Sequence, residues 1–200
     1  HSIAHVFTSL DEMASSPLID AVYIASPNFM HAPQSILCMS RGKHVLCEKP
    51  LASNAREARE MIEASERYGV ALMEAMKPTM TPHFKALADN LPRVGEVRRY
   101  FASYCQYSSR YDRFKAGELP NAFNPKMSNG AIMDIGVYTI YPMVALFGRP
   151  DRITASSVVL SSGVDGQGAV TFDYGGRMQA TVLYSKIADS RLRSEIQGEQ

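Results

Sequence analysis

Between Ile19 and Ala75, three short apolar runs alternate with two helix-like segments, and this alternation limits the possible folds more than any other feature of the chain. The first run, Ile19 to Ala25, is apolar and partly β-branched and closes on the turn cluster Ser26-Pro27-Asn28. A run of this kind, bounded by a turn, predicts a buried strand of a parallel sheet. From His31 to Arg41, residues Ala32, Ile36, Leu37 and Met39 give helical spacing, and Gly42 is the stop. Lys43 to Cys47 reads as a second strand leading into Glu48-Lys49-Pro50-Leu51. Asn54, with Glu57 three residues later, forms a capping-box pattern. Ala58, Met61, Ile62, Ser65 and Tyr68 then share a helix face, and Gly69 ends it. Val70 to Ala75 is the third strand. Strands alternating with helices of this length predict a parallel sheet with crossover helices.

The pattern then changes. Thr81-Pro82 opens a helix to about Asn90, with Thr as cap and Pro at the first position. A long strand is expected over 97–107, a polar and aromatic loop over 108–129, and an apolar helix from Ala131 to Phe147, broken by Gly148-Arg149-Pro150. Strand-like runs follow at 152–161, 168–174, 177–184 and 191–196, with Gly175-Gly176 as a hairpin signal. The expected fold class is therefore α/β: a parallel sheet in residues 1–90, followed over 91–200 by an α+β domain with a largely antiparallel open sheet. The change of character lies at 76–95.

Composition narrows the function. A formal net charge of +1 supplies no strong field to attract nucleic acid or an anionic membrane. Cys38, Cys47 and Cys105 are odd in number and show no CxxC spacing, which argues against a disulfide framework or a zinc site, so no metal is expected. Free thiols fit a reducing cytoplasm. No apolar run reaches the ~20 residues that span a bilayer, and the N-terminal residues lack the pattern of a secretory signal.

Ligands of an open parallel sheet bind at the carboxyl ends of its strands. Two segments fall there: Ser26-Pro27-Asn28 through His31, and Glu48-Lys49-Pro50. The proline restricts Lys49 to extended backbone, and a lysine so placed can donate to a carbonyl or hydroxyl oxygen. The alternative is a surface lysine paired with Glu48. On the later helix Asp134 and Tyr138 are four apart and share a face, and Gly136 between them permits close approach of a backbone or ligand. The alternative there is a satisfied core tyrosine with Asp134 capping a local group. Tyr104, Tyr107, Arg110, Tyr111, Arg113 and Lys115 form a basic, aromatic stretch that suits a sugar or carboxylate, or simply an exposed or oligomer surface. His44 and His83 are expected to be structural, and the eleven Met residues to fill core.

Taken together, Val22-Tyr23-Ile24-Ala25-Ser26-Pro27-Asn28…His31, Gly42-Lys43-His44-Val45-Leu46-Cys47-Glu48-Lys49-Pro50-Leu51 and Gly130…Asp134-Ile135-Gly136-Val137-Tyr138 resemble the Gfo/Idh/MocA oxidoreductase family over nearly the whole chain. The resemblance implies a Rossmann-type parallel sheet, of which residues 1–90 form the second half, followed by an incomplete substrate-binding and oligomerisation domain. It implies NAD or NADP as cofactor, and hydride transfer at a secondary alcohol or carbonyl of a sugar, cyclitol or dihydrodiol. It places Lys49 beside the nicotinamide and the substrate. It gives Glu48, Ser26, Pro27, Asn28 and His31 to the cofactor end of the cleft. Tyr138 stands where many members have His, as in the branch of dihydrodiol dehydrogenases, NADP-dependent xylose dehydrogenases and glucose-fructose oxidoreductase. Met73-Glu74-Ala75-Met76 and Asn124-Pro125 also resemble that branch. The resemblance implies that Lys49 and Tyr138 share the proton work and that Asp134 orients a substrate hydroxyl.

The sequence departs from the family at Ser128-Asn129-Gly130, where a glycine run is common, and at Lys77-Pro78-Thr79-Met80, where the branch often has an aromatic residue and Arg. No Gly-x-Gly-x-x-Gly occurs, nor the charged residue about 20 positions later that selects NAD or NADP. On the order of 50 residues of such a fold are expected to precede His1, and this chain alone is expected to bind a dinucleotide weakly or not at all. Two rival readings are a non-catalytic nucleotide-sensing regulator of the same fold and an NAD-assisted glycosidase. An open sheet in the second domain leads us to expect a homodimer or higher homo-oligomer.

Overall fold

The computed structural model describes residues 3–200, which divide into two compact units, 3–75 and 76–200. In the first unit, β1 (Ala21–Ile24), β2 (His44–Cys47) and β3 (Leu72–Glu74) form a parallel sheet in the order β1-β2-β3, with Val22 opposite Val45 and Leu46 opposite Met73. A short helix, α1 (Leu10–Ser15), precedes them, and α2 (His31–Ser40) and α3 (Ala55–Tyr68) are the crossovers.

Local chemistry sets the helix limits. The Asn54 carboxamide oxygen accepts the amides of Arg56 and Glu57 at 3.1 and 3.0 Å. Glu57 reaches back to the Ser53 amide at 3.0 Å, so the expected box is displaced by one residue. Gly69, at φ 65°, closes α3 in the left-handed conformation. The Ser9 side chain accepts the Glu12 amide at the start of α1. That Ser-x-x-Glu pattern stood in the sequence, but no long periodic segment drew attention to it.

The three strands are buried on one face rather than both. Val22, Ile24, Val45 and Cys47 are buried, whereas Tyr23, Leu46 and Met73 on the other face are exposed. Two successive right-handed crossovers in one direction place both helices on the same side, which accounts for the asymmetry. Met39, Met61 and Cys38, fully buried, fill the space between helices and sheet.

The second unit begins with α4 (Pro82–Asn90), capped by the Thr81 hydroxyl, which accepts the Phe84 amide. Its sheet has the order β5-β6-β7-β4-β8, built from β4 (Val97–Cys105), β5 (Arg152–Val159), β6 (Asp165–Asp173), β7 (Gln179–Ser185) and β8 (Glu195–Gly198). Strands β5, β6 and β7 form an antiparallel meander, and β8 pairs antiparallel with β4. The pair β4–β7 is parallel, with Tyr100 opposite Ala180, because the chain crosses over the sheet between them. The expected loop over 108–129 contains a short helix, α5 (Tyr111–Lys115).

The apolar helix over 131–147 covers one face of this sheet. Its first turns, Ile132–Gly136, are π-helical, and α6 (Val137–Phe147) continues it. Together with the preceding turn it makes a 23-residue stretch, Pro125–Phe147, long and apolar enough to cross a membrane by length and composition alone. In the fold its inner residues Ala131, Ile135, Thr139 and Met143 pack on Tyr100, Val170, Ala180, Val182 and Tyr184. That is the expected behaviour of a core helix. The opposite face of the sheet and the whole of edge strand β5 remain open, with Ile153 60% and Val159 63% exposed.

Candidate functional site

Candidate residues in the first unit gather at the carboxyl edge of its sheet. The Ser26-Pro27-Asn28 turn leaves β1 and passes through one 3₁₀ turn, Asn28–Met30, into α2. Glu48-Lys49-Pro50 leaves β2, with the Lys49–Pro50 bond in cis. His31, fully buried, joins these two turns: its ring nitrogens lie 2.8 Å from the Pro50 carbonyl oxygen and 2.9 Å from that of Ser26. It therefore sets the distance between the loops and has no solvent-facing surface. The Ser26 hydroxyl is held by the Gln34 side chain at 2.7 Å.

Glu48 is fixed at both carboxylate oxygens. One accepts the Tyr23 hydroxyl, and the other accepts the Lys49 amide at 3.1 Å. The bond to Glu48 is the main reason that Tyr23 holds its proton above the usual tyrosine range; burial adds to it. Tyr23 had no signature beyond its place in a strand; only the pairing of β1 with β2, which sets Tyr23 opposite Leu46, two residues before Glu48, brings it there. Behind the turn, Glu74 accepts the Leu51 amide at 2.8 Å. Burial raises the Glu74 carboxyl above its ordinary value, opposed by the Leu51 amide and by His31. Burial likewise pushes the Cys47 thiol up to about 11, so this cysteine is an inert core thiol. His44 is structural as expected, its Nδ1 accepting the Ala71 amide.

A second group sits in the other unit, around the π-helical turn. Asp134 lies on that turn, and its carboxylate pairs with the ammonium of Lys186, which is only 4% exposed. Lys186 also lies 5.2 Å from the centre of the Phe123 ring. The pair opens into a cleft of about 300 Å³ whose wall includes Gln106, Tyr107, Ser108 and Arg110. Tyr138, on the next turn, packs against Tyr104 with ring centres 6.0 Å apart. π turns are rare, appear mostly as single-turn interruptions of α-helices, and are frequent at functional sites. Sequence reasoning missed Lys186, which follows β7 in a segment with no motif.

Two glycines explain the local geometry. A Cβ on Gly130, at φ 153°, would lie 2.2 Å from an Asp165 carboxylate oxygen, and the other oxygen of Asp165 accepts the Ile132 amide at 2.7 Å. Asp165 thus caps the helix that bears Asp134. Gly136 makes room for the Tyr184 ring, 3.1 Å from where its Cβ would stand. The close approach expected there is therefore by a core aromatic. Burial, with Asp165 nearby, pushes Tyr184 up to about 12.

Of the basic, aromatic stretch, Tyr107 and Arg110 line the cleft, while Lys115 pairs with Asp112 and Arg113 with Glu118 on the exposed side. Tyr111 stacks on Phe114 and meets buried Phe123. Among the described residues no cluster of three or more His, Cys, Asp or Glu is placed to hold a metal ion.

Comparison with known proteins gives two family matches: "Oxidoreductase family, NAD-binding Rossmann fold" over residues 2–76 and "GFO/IDH/MocA C-terminal domain" over residues 92–200. The chain is 57% identical over 199 residues to scyllo-inositol 2-dehydrogenase (NADP(+)) IolU of Bacillus subtilis, covering 100% of the chain and 60% of that protein. It is 36% identical to the trans-1,2-dihydrobenzene-1,2-diol dehydrogenase of Danio rerio, covering 94% of the chain and 55% of the relative. The chain thus spans little more than half the length of these relatives. An NAD binding oxidoreductase from Klebsiella pneumoniae superposes with TM-score 0.82 at 26% identity, over 96% of this chain and 55% of that one. The WlbA dehydrogenase of Bordetella pertussis, solved with NADH and UDP-GlcNAcA, superposes at 0.83 with 19% identity over 96% of this chain and 57% of that one, and speaks to the fold alone.

Proposed function

The chain belongs to the Gfo/Idh/MocA oxidoreductase family, and from that premise we propose that the protein carrying it is an NAD(P)-dependent dehydrogenase acting on a secondary alcohol of a sugar, cyclitol or dihydrodiol. The observation that carries this reading is the Glu48-Lys49-Pro50 turn at the carboxyl end of the central parallel strand, in a chain 57% identical to a scyllo-inositol 2-dehydrogenase. We assign residues 1–90 to the dinucleotide-binding domain and 91–200 to the substrate-binding domain.

The donor set at the sheet edge fits the ribose and nicotinamide end of a dinucleotide. Glu48, oriented through both carboxylate oxygens, can accept a ribose hydroxyl, and Asn28 supplies an amide. Ser26 and Pro27 shape the turn, and His31 sets its spacing from Lys49. No Gly-x-Gly-x-x-Gly is present, so these residues provide no pyrophosphate cradle. The nicotinamide, when bound, supplies the hydride acceptor or donor. In the proposed reaction Lys49 donates a hydrogen bond to the substrate oxygen, Tyr138 carries its proton, and Asp134 orients a substrate hydroxyl. A general acid or base contributes about 10²–10⁴-fold.

The exposed edge strand and open sheet face support assembly as a homodimer or higher homo-oligomer. Three free cysteines support a cytoplasmic setting. Nicotinamide absorbance of the full-length protein, with scyllo-inositol, xylose and a dihydrodiol tested against both cofactors, checks the proposal. We expect cofactor reduction with at least one of them, with NADP⁺ preferred. Cofactor binding without turnover on any of them would overturn it.

A further inference from the structure

We propose that Tyr23 is a positioning residue of the cofactor site: its hydroxyl fixes the Glu48 carboxylate in the orientation that receives a ribose hydroxyl of the dinucleotide. This rests on the proposed role of Glu48 at the ribose.

The turn that leaves β2 is tethered on both sides of Lys49. After it, a His31 ring nitrogen lies 2.8 Å from the Pro50 carbonyl oxygen, and Glu74 accepts the Leu51 amide at 2.8 Å. Before it, the Tyr23 hydroxyl donates to one Glu48 oxygen, while the other accepts the Lys49 amide at 3.1 Å. Strand register makes the Tyr23 contact. β1 and β2 run parallel with Tyr23 opposite Leu46, and alternation returns the chain to that face at Glu48. The Glu48 amide still donates to the Ile24 carbonyl at 2.9 Å, so the ladder holds its backbone and Tyr23 places its side chain.

Packing does not account for a tyrosine here. Tyr23 is 55% exposed and its in-register neighbour Leu46 is exposed as well, so the ring covers little core, and phenylalanine would cover it equally. What the hydroxyl adds is a charge-assisted hydrogen bond to a carboxylate. That bond is the main reason that Tyr23 keeps its proton above the usual tyrosine range, so the group stays a donor at neutral pH. Each carboxylate oxygen has two lone-pair sites, and Tyr23 and the Lys49 amide take one on each, which leaves acceptor capacity for a ribose hydroxyl. An acceptor ordered in advance costs less entropy when the cofactor binds.

The test uses the full-length protein with Tyr23→Phe, Glu48→Gln and the double variant. Fluorescence titration compares NADP⁺ and NAD⁺ with their adenosine fragments, adenosine 2′,5′-bisphosphate and AMP, which lack the nicotinamide ribose. Tyr23→Phe should raise Kd for the preferred dinucleotide on the order of tenfold and leave that for its fragment unchanged. In the double variant it should add almost nothing to Glu48→Gln, because it acts through Glu48. Dinucleotide affinity like that of the parent in Tyr23→Phe, with Glu48→Gln weakened, would overturn the positioning role alone. Equal losses for dinucleotide and fragment, or fully additive losses in the double variant, would overturn it too. Unchanged affinity in Glu48→Gln would overturn the ribose reading, and the positioning role with it.

Discussion

Removing either partner of the Asp134–Lys186 pair should cost unequal amounts of stability. Asp134→Asn leaves an ammonium in a position with a side chain only 5% exposed. Breaking a buried pair from one side costs about 3–5 kcal/mol, because the remaining charge is neither paired nor hydrated. The Phe123 ring, 5.2 Å away, offsets about 1 kcal/mol of this through its negative face. The expected net loss is about 2–4 kcal/mol. Lys186→Met leaves the opposite residue, a carboxylate with a side chain 36% exposed, which water in the cleft can hydrate. The methionine replaces the lysine stem against Phe123, so the expected loss is about 1 kcal/mol. With a difference of about 1–3 kcal/mol and about 2–4 °C per kcal/mol for a chain of this size, the two variants should differ by roughly 2–12 °C in Tm. Differential scanning calorimetry with parallel urea titrations measures the difference. Equal losses, or a larger loss for Lys186→Met, would refute the argument from exposure.

Gly130→Ala should destabilise by about 2–5 kcal/mol in urea unfolding, since it combines a positive-φ penalty with displacement of the Asp165 cap; a loss under about 0.5 kcal/mol would contradict the geometry. Glu74→Gln should change the pH dependence of stability. The Glu74 carboxyl is raised in the folded state, chiefly by burial, so the folded protein binds its proton more tightly than the unfolded one. That contribution is complete below the unfolded glutamate value and is lost as pH rises through the folded one. The variant should therefore gain on the parent between acid and neutral pH, as read by urea midpoints at several pH values; a constant difference would contradict this.

The parallel sheet was legible because its signals are local: the apolar run at Ile19 to Ala25, the Asn54 cap and Gly69 each act within a few residues. The exposed faces of Tyr23, Leu46 and Met73 were not, since strand sequence alone does not say how many faces are covered. In the second unit, the helix over 131–147 was legible from its apolar length, but its π turn depends on Asp165 and Tyr184, which arrive from β6 and β7. Likewise the parallel pairing of β4 with β7 is settled by the crossover and not by either strand. Among the proposed site residues, Glu48 and Lys49 stood out by their place after a strand and Asp134 and Tyr138 by their four-residue spacing, while their proposed roles come from the family resemblance. Lys186 did not stand out, because its meaning comes from Asp134 and Phe123, 52 and 63 positions away in sequence.

The role proposed for Lys49 is decided by Lys49→Met in the full-length protein, measuring NADPH formation with scyllo-inositol alongside NADP⁺ binding by fluorescence. Turnover should fall by on the order of 10²–10⁴-fold with cofactor binding kept. Turnover like that of the parent would contradict it.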